Sequence, residues 1–145
     1  MFIKKLSYEY IRGLIDGEGC FSFMAQEKGR HIIPSFAIAM SNRDRDLIIS
    51  VRDSLNLRNR IYTYKPRTRN DGYKRLGMTI LVVRDVGQLK NMIVPLCYKK
   101  LNGYKSFQFQ KWIERIGTDP LVPRSYKIIH LLYKSGFYDK NPKYL

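Results

Sequence analysis

Ile11-Arg12-Gly13-Leu14-Ile15-Asp16-Gly17-Glu18-Gly19 carries an apolar helical stretch straight into two carboxylates set among glycines. Gly13 and Gly17 stand four residues apart and share one face of a helix, where missing side chains let a second backbone come close. Ile11, Gly13, Leu14 and Gly17 are therefore the candidate interface between two copies of this helix. Glu18 would lie at the foot of that pair, beside its counterpart, and oxygen ligands on rigid backbone suit a divalent cation. An apolar helix closed by a glycine cap accounts for Gly17 or Gly19 taken singly. It does not account for the alternation of acid and glycine from Asp16 to Gly19.

Working outward, 145 residues are enough for one domain with a substantial core, expected over residues 1–145. The chain is 44% hydrophobic, which argues against disorder. Its 27 Lys and Arg against 12 Asp and Glu give a net charge of +15, and 11 Tyr and 7 Phe accompany them. A basic, aromatic surface suits phosphates and bases, so nucleic acid is the favoured partner before any motif is considered. Cys20 and Cys97 form neither a disulfide framework nor a metal-binding spacing, and both are expected as buried free thiols. No apolar run reaches membrane-spanning length and no signal peptide is legible. The expectation is a soluble intracellular protein, in an organelle (chloroplast or mitochondrion) or in bacterial or archaeal cytoplasm, with neither a membrane nor a small-molecule substrate as partner.

Ser7 can cap a helix whose apolar positions Tyr10, Ile11, Leu14 and Ile15 recur at helical spacing up to the Asp16-Gly17 break. Residues 20–26 and 31–40 alternate around the turn Glu27-Lys28-Gly29-Arg30, a first hairpin. Ser41 and Asn42 offer caps for a helix through Leu47, Ile48, Val51 and Leu55. A second strand pair, 58–65 and 73–83, is joined by a long basic loop with an Asp71-Gly72 turn. Asp85 can cap a helix that stops before Pro95, since the residue ahead of proline avoids helical geometry. A helix over about 102–116 and a last amphipathic segment with Tyr126, Ile129, His130 and Tyr133 complete the order. Trp112, Phe109 and Phe107 are assigned to the core.

The stretch from Leu6 to Phe23, with Gly13-Leu14-Ile15-Asp16-Gly17-Glu18-Gly19 at its centre, resembles the signature of the LAGLIDADG homing endonucleases. Arg12 departs from that signature, which usually has a small residue there. The resemblance implies an α+β fold, an αββαββα core whose antiparallel strands form a saddle over the DNA major groove, here with an added C-terminal helix. The element order read from the residues agrees with it. One copy of the acidic motif implies a homodimer, and a symmetric dimer implies a long, nearly palindromic duplex target. The implied activity is site-specific, Mg²⁺-dependent double-strand DNA cleavage with staggered ends, as in intron homing. Mn²⁺ is expected to substitute, and Ca²⁺ to bind without supporting cleavage.

By the same resemblance Glu18 is the metal ligand, helped by the backbone carbonyl of Gly17. Asp16 is a lesser catalytic candidate, more suited to ending the helix or bonding nearby amides. Pro95-Leu96-Cys97-Tyr98-Lys99-Lys100 resembles the family's Pro-Leu-x-x-x-Lys segment, whose lysine lies beside the scissile phosphate. The spacing from Pro95 selects Lys100, with Lys99 as the alternative. A water-ordering polar residue usual near the end of the second strand is replaced by Met40; either Ser41 or Asn42 substitutes, or the role is absent. Two-stranded ribbons can enter the major groove. Candidate DNA contacts are Ser22, Met24, Gln26, Lys28 and Arg30 in the first hairpin, and Arg60, Tyr62 and Tyr64 in the second. Lys65, Arg67, Arg69, Lys74 and Arg75 form the densest basic cluster. A register error of one residue would invert each strand assignment.

Two other classes compete with the endonuclease. A non-cleaving nucleic-acid-binding relative, an RNA maturase or a regulator, would use the same basic saddle, and Met40 favours it. A ribosomal or generic RNA-binding protein explains charge and aromatics but leaves the Asp16 to Gly19 pattern without a purpose.

Overall fold

The computed structural model describes residues 4–144. Ser7 opens helix α1 (Tyr8–Glu18), its hydroxyl accepting from the Tyr10 amide at 3.1 Å. The helix runs past the expected Asp16-Gly17 break, because the Asp16 side chain bonds elsewhere and does not compete with its own backbone. Closure comes at Gly19, whose N–H reaches the Ile15 carbonyl. A Cβ at Gly19 would lie 2.8 Å from that oxygen and from the Ile15 side chain, so only glycine lets the chain turn directly from helix into strand there.

Strands β1 (Gly19–Gln26) and β2 (His31–Ser41) form the first hairpin, followed by a short turn and α2 (Arg45–Ser54). Then come β3 (Ile61–Tyr64), a small ribbon of β4 (Arg67–Thr68) and β5 (Lys74–Arg75), and β6 (Met78–Val83). The main sheet is antiparallel in the order β1-β2-β6-β3. The segment expected as a long loop is thus a tighter object: β4 pairs β5, and the turn closes on Gly72, with φ of +84° and its N–H on the Arg69 carbonyl at 3.0 Å. Asp71 supports it by accepting from the Tyr73 amide at 3.1 Å.

The sheet's inner face carries Phe36, Ile38, Leu81 and Val83, all fully buried. Against it pack Ile11 and Ile15 of α1, Ile48 and Val51 of α2, and Phe109, Trp112, Ile113 and Ile116 of α5 (Tyr104–Thr118). Phe21 stacks within 5.1–5.3 Å of Phe36, Phe109 and Trp112. The Trp112 ring N–H donates to the Ser22 carbonyl at 2.8 Å, which satisfies its one donor inside the core. Phe107, assigned to the core from sequence, is exposed beside Tyr104 and Lys111, since it lies on the far side of α5 from Phe109.

The helix expected to stop at Pro95 continues through it. Residues α3 (Val86–Gln88), a π-helical turn (Leu89–Ile93) and α4 (Val94–Cys97) follow one another without interruption. Proline removes a donor and crowds the preceding turn, and the wider π turn absorbs both effects by sending the Val94 N–H to the Leu89 carbonyl. The carbonyls of Lys90 and Asn91 are thereby released. The Tyr138 hydroxyl donates to the first at 3.0 Å and the Lys143 ammonium to the second at 3.1 Å. Tyr138 belongs to α7 (Phe137–Lys140), which follows α6 (Lys127–Lys134).

Arg12, the departure from the family signature, is buried. Its Nε donates to the Leu96 carbonyl at 2.8 Å and its guanidinium also bonds the Tyr144 carbonyl. The larger side chain therefore ties α1 to α4 and to the C-terminal segment. Among the described residues, no helix is long and apolar enough to cross a membrane.

Candidate active site and nucleic-acid interface

Two carboxylates in the last turn of a helix face its negative end, an unfavourable placement unless something positive meets them. No basic residue lies in the last turn of α1. Asp16 is met by amides: its Oδ1 accepts from Asn102 N at 3.0 Å and Gly103 N at 3.2 Å, and its Oδ2 from Asn102 N at 3.1 Å. Gly103 precedes α5 and has no side chain with which to cap it. Asp16 thus caps that helix from another element, the bonding to nearby amides expected of it from the sequence.

Glu18 is different. It is exposed, and among the described residues its carboxylate makes no hydrogen bond or ion pair. The carbonyls of a helix's last turn have no partner within the helix, so Gly17 offers a second oxygen at the same end. A carboxylate and a carbonyl fit a hard cation that keeps waters and takes phosphate oxygens; they do not make a closed protein cage. Among the described residues, no group of three or more His, Cys, Asp or Glu that could hold a metal occurs.

The Asp16 clasp has a second effect, because the amides it holds follow Lys100 by two and three residues, while Glu18 follows Asp16 by two. It draws the lysine segment alongside the end of α1. The two lysines are then distinguished by their surroundings. Lys99, in the left-handed region with φ of 56°, turns to α7 and bonds both oxygens of Asp139 at 3.1 and 3.3 Å. That bond holds the Lys99 ammonium above its ordinary pKa, while the bonds from Lys99 and then Tyr98 hold Asp139 below the usual carboxylate range. The Lys100 side chain is exposed and makes no such bond among the described residues.

At the end of β2 the Met40 side chain packs against the core. Ser41 accepts from the Arg43 amide at 3.3 Å and so serves as a cap. Asn42 is spent as a clip: its side chain accepts from the Thr79 hydroxyl at 2.7 Å and donates to the Tyr64 carbonyl at 3.1 Å. Both substitutes for a water-ordering residue therefore have structural work.

Register settles the strand faces. Ser22 lies opposite Ser35, Met24 opposite Ile33 and Gln26 opposite His31, on the face away from the helices. Tyr62 opposite Ile80 and Tyr64 opposite Met78 fall on that same face. Arg60 continues the alternation and lies over Tyr62 at 5.3 Å. Lys28 and Arg30 are exposed in the β1–β2 turn, and Lys65, Arg67 and Lys74 are exposed on the ribbon. Arg69 is partly spent on Asp71 at 3.4 Å and lies over Tyr73 at 5.8 Å. Arg75 pairs with Arg67 through its backbone; its side chain lies outside the described part of the structure.

Several positions escaped the sequence reading. Arg84, just after β6, continues that strand's alternation onto the outer face, and its Nε is buried with no hydrogen-bond partner among the described residues. Leu76 and Met78 are exposed on the same side; alternation from Tyr64 would have found Met78 had the pairing been known. Cys20, expected buried, is exposed on the outer face of β1, whereas Cys97 is buried, its thiol pushed well above the ordinary range by that burial. Lys127 of the last helices has structural work: it donates to the Ile116, Gly117 and Asp119 carbonyls at the end of α5.

On α1, Gly13 and Gly17 are exposed, and a Cβ on either would meet nothing within 4 Å. Leu14 is half-buried beside them. Ile11 is fully buried in its own core, which removes it from the proposed interface: helical spacing turns it inward with Ile15.

Comparison with known proteins adds a family and a fold. Residues 11–116 match the family model described as LAGLIDADG endonuclease. "Probable intron-encoded DNA endonuclease 1" of Mycosarcoma maydis is 28% identical over 85 residues, 59% of this chain and 31% of that protein. Among solved structures, the homing endonuclease I-GzeII in complex with its DNA target superposes with TM-score 0.63 at 21% identity, over 92% of this chain and 45% of that one. I-LtrWI bound to target DNA gives 0.60 at 20% identity, over 94% and 45%. I-TnaI gives 0.58 at 20%, over 94% of this chain and 99% of that one. The chain thus spans less than a third of the curated relative and under half of I-GzeII and I-LtrWI, but nearly all of I-TnaI.

Proposed function

This chain belongs to the LAGLIDADG endonuclease family, and we propose that it is a site-specific DNA endonuclease that acts as a homodimer and hydrolyses phosphodiesters with Mg²⁺ at a long, nearly palindromic target. The observation that carries the reading is the exposed Glu18 at the negative end of α1, unpaired among the described residues, on a helix end that Asp16 bonds to the amides two and three residues after Lys100. Glu18 and the Gly17 carbonyl would hold the metal, which when bound lowers the pKa of water and neutralises charge on the phosphate. Among the described residues one chain offers a single free carboxylate there, so a second copy packed on Gly13, Leu14 and Gly17 is needed to bring two together. Lys100 places its ammonium where charge builds on the phosphorane oxygens. The exposed lysines and arginines of the β1–β2 turn and the β4–β5 ribbon hold phosphates, and the sheet's outer face lies against the groove.

The test is cleavage of a randomised duplex library by the purified chain in Mg²⁺, beside a Ca²⁺ control and Glu18→Gln, with cut products sequenced. Discrete cuts at one long near-palindrome, lost in Ca²⁺ and in the variant, are expected. Uncleaved but selected duplex would favour a second reading, a binding-only relative. That reading is supported by the end of β2, where Met40 turns into the core and Ser41 and Asn42 are engaged.

A further inference from the structure

The outer face of the sheet is chemically divided. Toward β1 its opposed pairs are mixed, Ser22 with Ser35 and Gln26 with His31 on either side of Met24 with Ile33. Toward β3 and β6 they are Tyr62 with Ile80 and Tyr64 with Met78, and Leu76 lies just beyond. These side chains are not core: Leu76 is 74% exposed, Tyr64 57% and Met78 36%. With Ile80 and Pro66 they line a groove of about 590 Å³, and Lys65 and Arg67 stand on its wall. A contiguous apolar strip on a face this basic calls for an occupant. Phosphate would satisfy the two cations but not the strip.

A DNA duplex presents one apolar group in its major groove, the C5 methyl of thymine. We infer that the groove formed by Tyr64, Pro66, Leu76, Met78 and Ile80 reads thymine methyls in a thymine-rich stretch of each half-site, while Lys65 and Arg67 hold the flanking phosphates. This rests on the proposed DNA endonuclease function and adds a specificity surface to it. Charge complementarity fixes the occupant as a polyanion, and the apolar floor selects among polyanions. RNA is disfavoured twice, because uracil lacks the methyl and the A-form major groove is too narrow for side chains.

The experiment uses two randomised duplex libraries, one with thymine and one with deoxyuridine in its place, which differ only in the C5 methyl. The full chain selects from each in Ca²⁺, and bound duplexes are sequenced. Thymine should be enriched over a contiguous run of positions in the first library, and uracil should not be enriched there in the second. Preferences elsewhere should persist in both. Each methyl buried is expected to be worth about fourfold in affinity. Leu76→Ser, at a site too exposed to affect folding, should weaken the thymine preference over part of that run and leave other positions unchanged. Equal enrichment of uracil, or a thymine preference undiminished at every position by Leu76→Ser, overturns the inference while leaving the endonuclease reading intact. Failure to select any duplex from either library, or tighter retention of a structured RNA pool, overturns that reading itself.

Discussion

Asp16 and Glu18 are two residues apart on one helix, yet they should respond to substitution in opposite ways. Asp16→Ala deletes three contacts of 3.0–3.2 Å to the amides ahead of α5. Loss of an N-cap costs about 0.5–2 kcal/mol, and loss of a carboxylate near a helix N-terminus about 0.3–1 kcal/mol. Asp16 is half-buried, so water replaces part of what is lost, and a total of about 1–2 kcal/mol is the reasonable sum. For a domain of this size that corresponds to a fall in Tm of roughly 3–6 °C. Asp16→Asn keeps an acceptor without its charge and should lose about half as much. Glu18→Gln removes an unpaired carboxylate from the negative end of α1, so its Tm should match the parent or rise slightly. The assay is thermal unfolding followed by circular dichroism without divalent metal, with single-turnover cleavage measured in parallel. Asp16→Ala should also cleave more slowly, because the segment that follows Lys100 is no longer tied to α1 through the Asn102 and Gly103 amides. An Asp16→Ala protein that melts with the parent, or a Glu18→Gln protein that melts well below it, would refute the division of labour between cap and ligand.

Four further outcomes follow from the same geometry. Gly13→Ala and Gly17→Ala meet no neighbour and should stabilise the isolated helix by about 0.5–1 kcal/mol through helix propensity; the same changes should weaken self-association, measured by sedimentation equilibrium. Lys100→Ala should slow cleavage with Tm unchanged, whereas Lys99→Ala should cleave nearly normally, since its ammonium is committed to Asp139; the reverse order in single-turnover rates would move the assignment to Lys99. Arg12→Ala leaves the Leu96 carbonyl unsatisfied in the interior and should cost about 1–3 kcal/mol, read by chemical denaturation. Burial pushes the Tyr138 hydroxyl up to about 12; because the folded value is raised, its contribution is complete below about pH 10 and lost as pH rises toward 12, so the parent should lose Tm across that window more steeply than Tyr138→Phe.

Much of this protein was legible along the chain because the signals are local. Ser7, the helical spacing of Ile11 and Ile15, the alternation around Glu27-Lys28-Gly29-Arg30 and the Asp71-Gly72 turn each act within a few residues, and each produced the element it implied. The acid and glycine pattern from Asp16 to Gly19 likewise identified the family. What failed was decided by partners distant in sequence. A proline ended the third helix on paper, but Tyr138 and Lys143, some fifty residues away, receive the carbonyls that Pro95 and the π turn release. Asp16 was suited to bonding nearby amides, but only the fold showed that these belong to Asn102 and Gly103, and Lys99 stood as the alternative to Lys100 until Asp139 engaged it. Ile11 shared a plausible interface stripe with Gly13 until the sheet covered it. Sequence alone thus determined which groups the chain owns and which local structures carry them. Tertiary structure decided which of those groups are consumed in holding the fold, because a hydrogen bond or an ion pair to a distant residue leaves no periodicity behind it, and the side chains left unpaired are the ones available for chemistry.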